Sequence, residues 1–137
     1  MTDTLIGSCH CGTVSVEAPS DSFGVVACHC GDCQKLHGNF FAMLAVDRAS
    51  LSWSGGNAIR WYDSSPKARR AFCSHCGSRL AKDPHGSPKI LLSAGLFPKE
   101  LPRRLMKHVF SESKPDWYDL PGVGVDEREA ATGTRRT

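Results

Sequence analysis

Seven cysteines gather in three short clusters: Cys9-His10-Cys11-Gly12, Cys28-His29-Cys30-Gly31-Asp32-Cys33 and Cys73-Ser74-His75-Cys76-Gly77. Cysteines one or two residues apart on a tight turn bring their sulfurs to one side and let backbone N–H groups face them. That arrangement suits zinc, a soft cation that takes thiolate ligands. A glycine after the pair can adopt positive φ and let the chain leave the metal. Gly12, Gly31 and Gly77 occupy that place. The middle cluster, Cys-x-Cys-x-x-Cys, supplies three sulfurs from one segment. Three protein ligands leave a position open for water or substrate, as in catalytic zinc sites, whereas four close a structural site. Seven cysteines therefore divide into four plus three, which predicts two zinc ions per chain.

Three plainer readings use only part of this pattern. Free cysteines can serve as small apolar core residues. A single Cys-x-x-Cys pair can be a redox centre. One structural zinc could also leave three thiols spare. Three tight clusters in a fixed arrangement favour two metals over each of these. His10, His29 and His75 lie inside the cysteine turns, but cysteines already fill the coordination, so they are read as bystanders. A short helix is expected just after Cys30, with Asp32 near its start and Gly38 as its stop. Cys33 then falls at the helix start, where the macrodipole lowers a thiol pKa.

The elements that must position these turns are mostly short strands. Thr13–Glu17 alternates, and Phe40–Val46 is a nearly continuous apolar run suited to a strand buried on both faces. Ile59–Tyr62, Lys89–Leu92 and Leu105–Phe110 are further strand candidates. Turn signals separate them at Ser54-Gly55-Gly56-Asn57, Ser64-Ser65-Pro66 and Asp83-Pro84-His85-Gly86. The expectation is one mainly β zinc domain over residues 1–120. From Pro121 to Thr137 large apolar residues are missing, which predicts a disordered tail.

The bulk numbers agree. A chain of 137 residues suits one domain, and 40% hydrophobic with 23% charged residues is an ordinary globular balance. The net charge of +3 comes without a basic block, so nucleic acid is not an expected partner. Met1-Thr2-Asp3-Thr4-Leu5 has neither the basic start nor the apolar run of a signal peptide. No stretch approaches the roughly 20 apolar residues of a membrane span. A cytoplasmic location is expected, where thiols stay reduced and cysteines serve as metal ligands.

The order of the three cysteine clusters, flanked by Gly7-Ser8 and Phe72, resembles the glutathione-dependent formaldehyde-activating (GFA) family. Gly95, His108-Val109-Phe110 and Lys114-Pro115-Asp116-Trp117 also resemble its pattern, and the likeness spans residues 5–118. The resemblance implies a mainly β fold: β-tent layered antiparallel sheets around a structural zinc, with one short helix. It implies that Cys9, Cys11, Cys73 and Cys76 share the structural zinc, while Cys28, Cys30 and Cys33 hold the catalytic one. It implies a zinc-dependent carbon–sulfur lyase-type activity that joins glutathione and formaldehyde into S-hydroxymethylglutathione. The family often carries an acidic residue after the glycine near position 95. Gly95-Leu96-Phe97-Pro98 has none, which bears on the substrate and not on the fold.

The expected charge of the open site fits such chemistry. Three thiolates and Zn²⁺ sum to −1, and electron-rich sulfur ligands make the zinc a weaker Lewis acid, so hydrolysis is disfavoured. A soft site prefers an incoming thiolate. A fourth thiolate would bring the charge to −2 and call for nearby cations. Lys35, two residues after Cys33, and Arg69 and Arg70, shortly before Cys73, are the candidates, and the same charges would suit the carboxylates of glutathione. The alternative is a non-catalytic zinc module on the same fold that contacts a protein partner.

Overall fold

The computed structural model describes residues 4–19, 24–120 and 124–125. The chain is mainly β, with layered sheets and a single α-helix among the described residues. It divides into two compact units, each assembled from two stretches of sequence. One comprises residues 1–23 and 44–102, the other 24–43 and 103–137.

In the first unit, β1 (Thr4–Ser8) pairs antiparallel with β2 (Ser15–Pro19), and β2 pairs with β5 (Ser52–Ser54). Strand β2 buries Val16 and Ala18 and exposes Glu17 between them, the period of a half-buried strand. A second antiparallel set runs through β6 (Ile59–Ser65), β7 (Ala68–Cys73), β8 (Arg79–Pro84) and β9 (Lys89–Ser93). Leu80, Leu92 and Leu44 are fully buried in this unit, with Ala68, Ala71 and Ala81 as small residues between the strands. Strand β4 (Phe41–Asp47) begins in the second unit and ends in the first.

The second unit is built on β3 (Val25–Cys28). It pairs antiparallel with the start of β4, Cys28 opposite Phe41, and parallel with β10 (Leu105–Val109), Cys28 opposite Val109. The α-helix α1 (Gly31–His37) follows directly. A parallel pair needs a long crossover connection. Here the connection from β3 to β10 runs through residues 29–104, which include residues 44–102, most of the first unit. The ladders of the first unit are antiparallel, as expected of the layered sheets, and β3 with β10 adds a parallel pair.

The expected strands at 13–17, 40–46, 59–62, 89–92 and 105–110 correspond to β2, β4, β6, β9 and β10. Strands β1, β3, β5, β7 and β8 went unread. Strand β7 carries Arg69-Arg70, and β8 carries Lys82-Asp83, charges that conceal a strand pattern. Asp83 is buried, and it accepts from Arg48 Nη1 at 2.7 Å and Arg69 Nε at 2.9 Å. The tail expected from Pro121 falls outside the described residues except for β11 (Gly124–Val125), which lies parallel to β10. Among the described residues, no helix is long and apolar enough to cross a membrane.

One glycine fixes how the Cys9–Cys11 turn enters β2. Gly55 has φ +77, and a Cβ built there would lie 2.0 Å from the Thr13 carbonyl oxygen. Only glycine meets both demands. Gly55→Ala should therefore destabilise the protein by at least about 2 kcal/mol, through overpacking and left-handed strain. The check is denaturant unfolding alongside metal content. A denaturant-unfolding curve unchanged from the parent would show that Thr13 can move at no cost.

Candidate metal centres

The first unit brings the sulfurs of Cys9, Cys11, Cys73 and Cys76 within 4.8 Å of one another. Cys9 and Cys11 Sγ are 3.6 Å apart, and Cys11 and Cys73 Sγ 3.9 Å. A tetrahedral ion with metal–sulfur bonds of about 2.3 Å requires sulfurs about 3.8 Å apart. The donor set and its spacing fit a closed four-thiolate zinc site.

Two turns deliver the four ligands. After Cys9, Gly12 N–H donates to the Cys9 carbonyl at 3.1 Å. After Cys73, Gly77 N–H donates to the Cys73 carbonyl at 2.7 Å. Gly12 and Gly77 take φ +82 and +80, the role expected of them. Gly31 differs: it is the first residue of α1 and has no positive φ.

Hydrogen bonds at two of these sulfurs favour their charged forms. The Thr13 hydroxyl stands 3.2 Å from Cys11 Sγ and lowers that thiol's pKa. The Ser78 hydroxyl, 3.2 Å from Cys76 Sγ, together with the Ser78 backbone lowers Cys76 to about 5. Val14 N–H donates to Cys9 Sγ at 3.3 Å. Burial pushes Cys73 the other way. Gathering this many thiols in so small a space is stable when a cation joins them.

The second unit brings together Cys28, Cys30 and Cys33, again with sulfurs within 4.8 Å of one another. Cys28 closes β3, Cys30 caps α1, and Cys33 lies in its first turn. The helix thus starts two residues before Cys33, with Cys30 as its cap. Cys33 N–H donates to Cys30 Sγ at 3.4 Å, so a sulfur takes the place usually held by a capping oxygen. Cys28 and Cys33 are buried and Cys30 is half-buried. The Cys28 thiol is pushed upward, first by its hydrogen bonds with Cys30 and Cys33 and then by burial. Three sulfurs, with no fourth ligand grouped with them among the described residues, fit a metal with one position left to another donor.

His29 is placed differently from its neighbours. In extended chain, successive side chains alternate sides, so Cys28 and Cys30 share a side that His29 does not. Its ring is completely buried, and Nε2 lies 2.7 Å from His108 Nδ1. Phe40 and Tyr118 pack on it, with ring centroids 5.3 and 5.9 Å away. Burial, then the charges of His108 and Lys114, lower His29 to about 4, so it is neutral near pH 7. His75 Nδ1 lies 3.4 Å from the Thr13 hydroxyl. Neither His29 nor His75 belongs to a cysteine group, nor does His10.

The three cations singled out from sequence are dispersed. Lys35 is exposed on α1, in the unit of Cys28, Cys30 and Cys33. Arg69 and Arg70 lie on β7 in the other unit. Arg69 binds Asp83, lies 3.8 Å over the Trp61 ring and lines an open cleft of about 540 Å³ with Arg48 and His85. Arg70 is buried and its Nε donates to the Ser64 hydroxyl at 3.3 Å. Sequence reasoning gave no role to the buried His108, Ser111 and Lys114. For His108 alone the cue lay in two ionisable residues, Lys107 and His108, set in an otherwise apolar stretch, Leu105–Phe110.

Two predictions arise here. Burial opposes ionisation of Asp83, but hydrogen bonds from Arg69 and Arg48 and their charges hold its carboxyl below the usual range. A depressed folded pKa gives stability that is present above the unfolded value of about 4 and lost as pH falls through the folded one. Asp83→Asn should cost about 1–3 kcal/mol at pH 7. The gap from the parent should narrow below about pH 4 in pH-dependent melting. An equal gap at pH 7 and pH 3 would refute the assignment.

The second concerns the cysteines. A closed site contributes directly to folding. Cys73→Ser or Cys76→Ser should give poorly folded protein, whereas Cys33→Ser should stay folded and lose about one zinc of two. Elemental analysis with melting curves decides it, and reversed phenotypes would reverse the roles.

The family model for the glutathione-dependent formaldehyde-activating enzyme matches residues 4–113. A Halomonas elongata protein, provisionally named for that activity, is 30% identical over 126 residues, covering 85% of this chain and 80% of its own length. A Schizosaccharomyces pombe protein named an uncharacterized lyase is 28% identical over 116 residues, covering 83% of each chain. A crystal structure of a Rhodobacter sphaeroides protein superposes with a TM-score of 0.55 at 21% identity, covering 74% of this chain and 98% of that one, a likeness of fold. The chain belongs to the GFA family, and its two cysteine clusters are able to bind metal.

Proposed function

We propose that this chain is a zinc-dependent carbon–sulfur lyase-type enzyme acting on glutathione or another small thiol and on formaldehyde or a related small aldehyde. The observation that carries the reading is a group of three sulfurs, Cys28, Cys30 and Cys33, in a member of this family. Those three would hold the catalytic zinc, and Cys9, Cys11, Cys73 and Cys76 the structural one. When bound at three thiolates, zinc supplies a position that favours a further sulfur donor and its ionised form.

The chain's own residues set the conditions. A free thiol near pKa ~8.5 is only a few per cent ionised at neutral pH, so the reaction gains from a site that favours thiolate. Cys28 and Cys33 are shielded from water, while the half-buried Cys30 marks the accessible edge. Lys35, exposed on the same helix as Cys33, offsets negative charge there. Arg69 and Arg70, already engaged within their own unit, are weaker candidates for this role. In the reaction, the thiol sulfur forms a bond to the aldehyde carbon, and the thiol's proton ends on the aldehyde oxygen. The lyase direction reverses both transfers.

The condensation also runs uncatalysed, so product alone proves nothing. Exchange between free glutathione and its hydroxymethyl adduct should be followed by magnetisation-transfer NMR. The protein should speed exchange by about tenfold or more, equivalent to about 1.4 kcal/mol of barrier, and Cys33→Ser should abolish the gain. Glutathione binding without faster exchange would point to a different electrophile. Neither binding nor acceleration at millimolar glutathione would sink the reading and favour the non-catalytic module.

A further inference from the structure

A lysine with no partner at its charged end is the least expected feature of the second unit. Lys114 is only 4% exposed, and its Nζ has no hydrogen-bond partner among the described residues. An isolated buried ammonium is costly, and proteins pair such groups or leave them facing a ligand. The Ser111 hydroxyl and His29 Nδ1 are also buried and without hydrogen-bond partners among the described residues. Ser111 opens a 3-10 turn, and Lys114 N–H donates back to its carbonyl at 3.1 Å. Side chains three apart on such a turn eclipse, so Ser111 and Lys114 lean the same way. His29 lies beside this turn: its backbone N–H donates to the Val109 carbonyl at 3.0 Å, and the Gln34 side chain bonds the carbonyls of both His29 and Ser113.

The backbone is committed to this placement. Phe110, just before the turn, has φ 55, the only positive φ at a non-glycine among the described residues. A bulky residue there is strained, and such strain persists where the surrounding structure enforces it. The Gln34 side-chain amide of α1 donates to the carbonyls of both His29 and Ser113, tying the helix to the turn. Pro115 holds Lys114 extended, at ψ 153.

We propose that Lys114, Ser111 and His29 form a buried binding pocket for a single carboxylate. One ammonium matches the charge of one carboxylate. Lysine and serine are donors, and so is His29 Nδ1 in the tautomer whose Nε2 accepts from His108 Nδ1. A phosphate dianion would ask for more charge than the pocket offers. The carboxylate could belong to the thiol substrate or to a free small acid. Only the first source rests on the function proposed above.

The test uses zinc-loaded protein and acetate as the probe. Acetate should shift the NMR resonances of His29, Ser111 and Lys114 saturably, and chloride at equal ionic strength should not. Lys114→Met, close in shape, should weaken acetate at least tenfold while melting no lower than the parent, because it removes an uncompensated charge. Should that variant fail to fold, Ser111→Ala is expected to weaken acetate several-fold in folded protein. A comparison of 3-mercaptopropionate with 2-mercaptoethanol then separates the sources. A tenfold preference for the carboxylate-bearing thiol, lost in Lys114→Met, assigns the pocket to the substrate. Acetate binding with equal affinity for the two thiols assigns it to a free acid. Acetate binding with no thiol binding supports the pocket and removes the thiol reading. The absence of any acetate effect or carboxylate preference would overturn the pocket, leaving it to water. Loss of zinc from Lys114→Met with acetate binding intact would also overturn it, making Lys114 a counter-charge to the cysteines.

Discussion

Packing several thiols into one small volume is the constraint on which most of this structure depends. Sulfurs less than 4 Å apart cannot all ionise without an opposing charge, and burial deepens the penalty. The polypeptide prepares for a cation with local donors. Hydroxyls of Thr13 and Ser78 and the backbone N–H of Val14 each face a sulfur of the first cluster. These donors come from the same turns as the ligands, so folding the turn and solvating the thiolate are one event. The strands adjoining the turns, β1, β2, β7 and β8, hold two ligand pairs at the right separation.

The second cluster solves the same problem with less chain. A strand end, a cap and a helical turn supply its three sulfurs within six residues, and the helix contributes an N–H donor to one of them. Behind these ligands the chain alternates, and His29 enters a polar patch lined by aromatic rings. Metal ligands and buried polar groups thus share a backbone segment while facing different surroundings. Within this unit, the arrangement allows charge to be handled on two sides of one short stretch.

The grouping of the cysteines was legible in the sequence because ligand spacing is local. Gly12 and Gly77 were read for the same reason, since a positive φ after a ligand pair is a property of one turn. Gly31 was misread because the chain leaves Cys30 by entering a helix, which needs no unusual φ. Apolar runs disclosed β4, β9 and β10. Strands β7 and β8 escaped because Arg69 and Asp83 satisfy each other across the ladder, a pairing that no one-dimensional pattern shows. The His29–His108 contact joins residues 79 positions apart. The burial of Lys114 depends on a turn set by a strained phenylalanine, for which the sequence carries no signal.

The different sequence spans of the two clusters have a consequence for the order of assembly. Cys11 and Cys73 are 62 positions apart, whereas Cys28 and Cys33 are separated by five steps of chain. Loop closure costs grow with the logarithm of length, which makes the longer closure dearer by about 2 kcal/mol. A chain emerging from the ribosome exposes the three-cysteine segment well before Cys73 exists. That short segment can capture an ion while the rest is still being made. The four-cysteine site can form only after both distant turns have been synthesised, so metal supply during translation reaches the two clusters at different times.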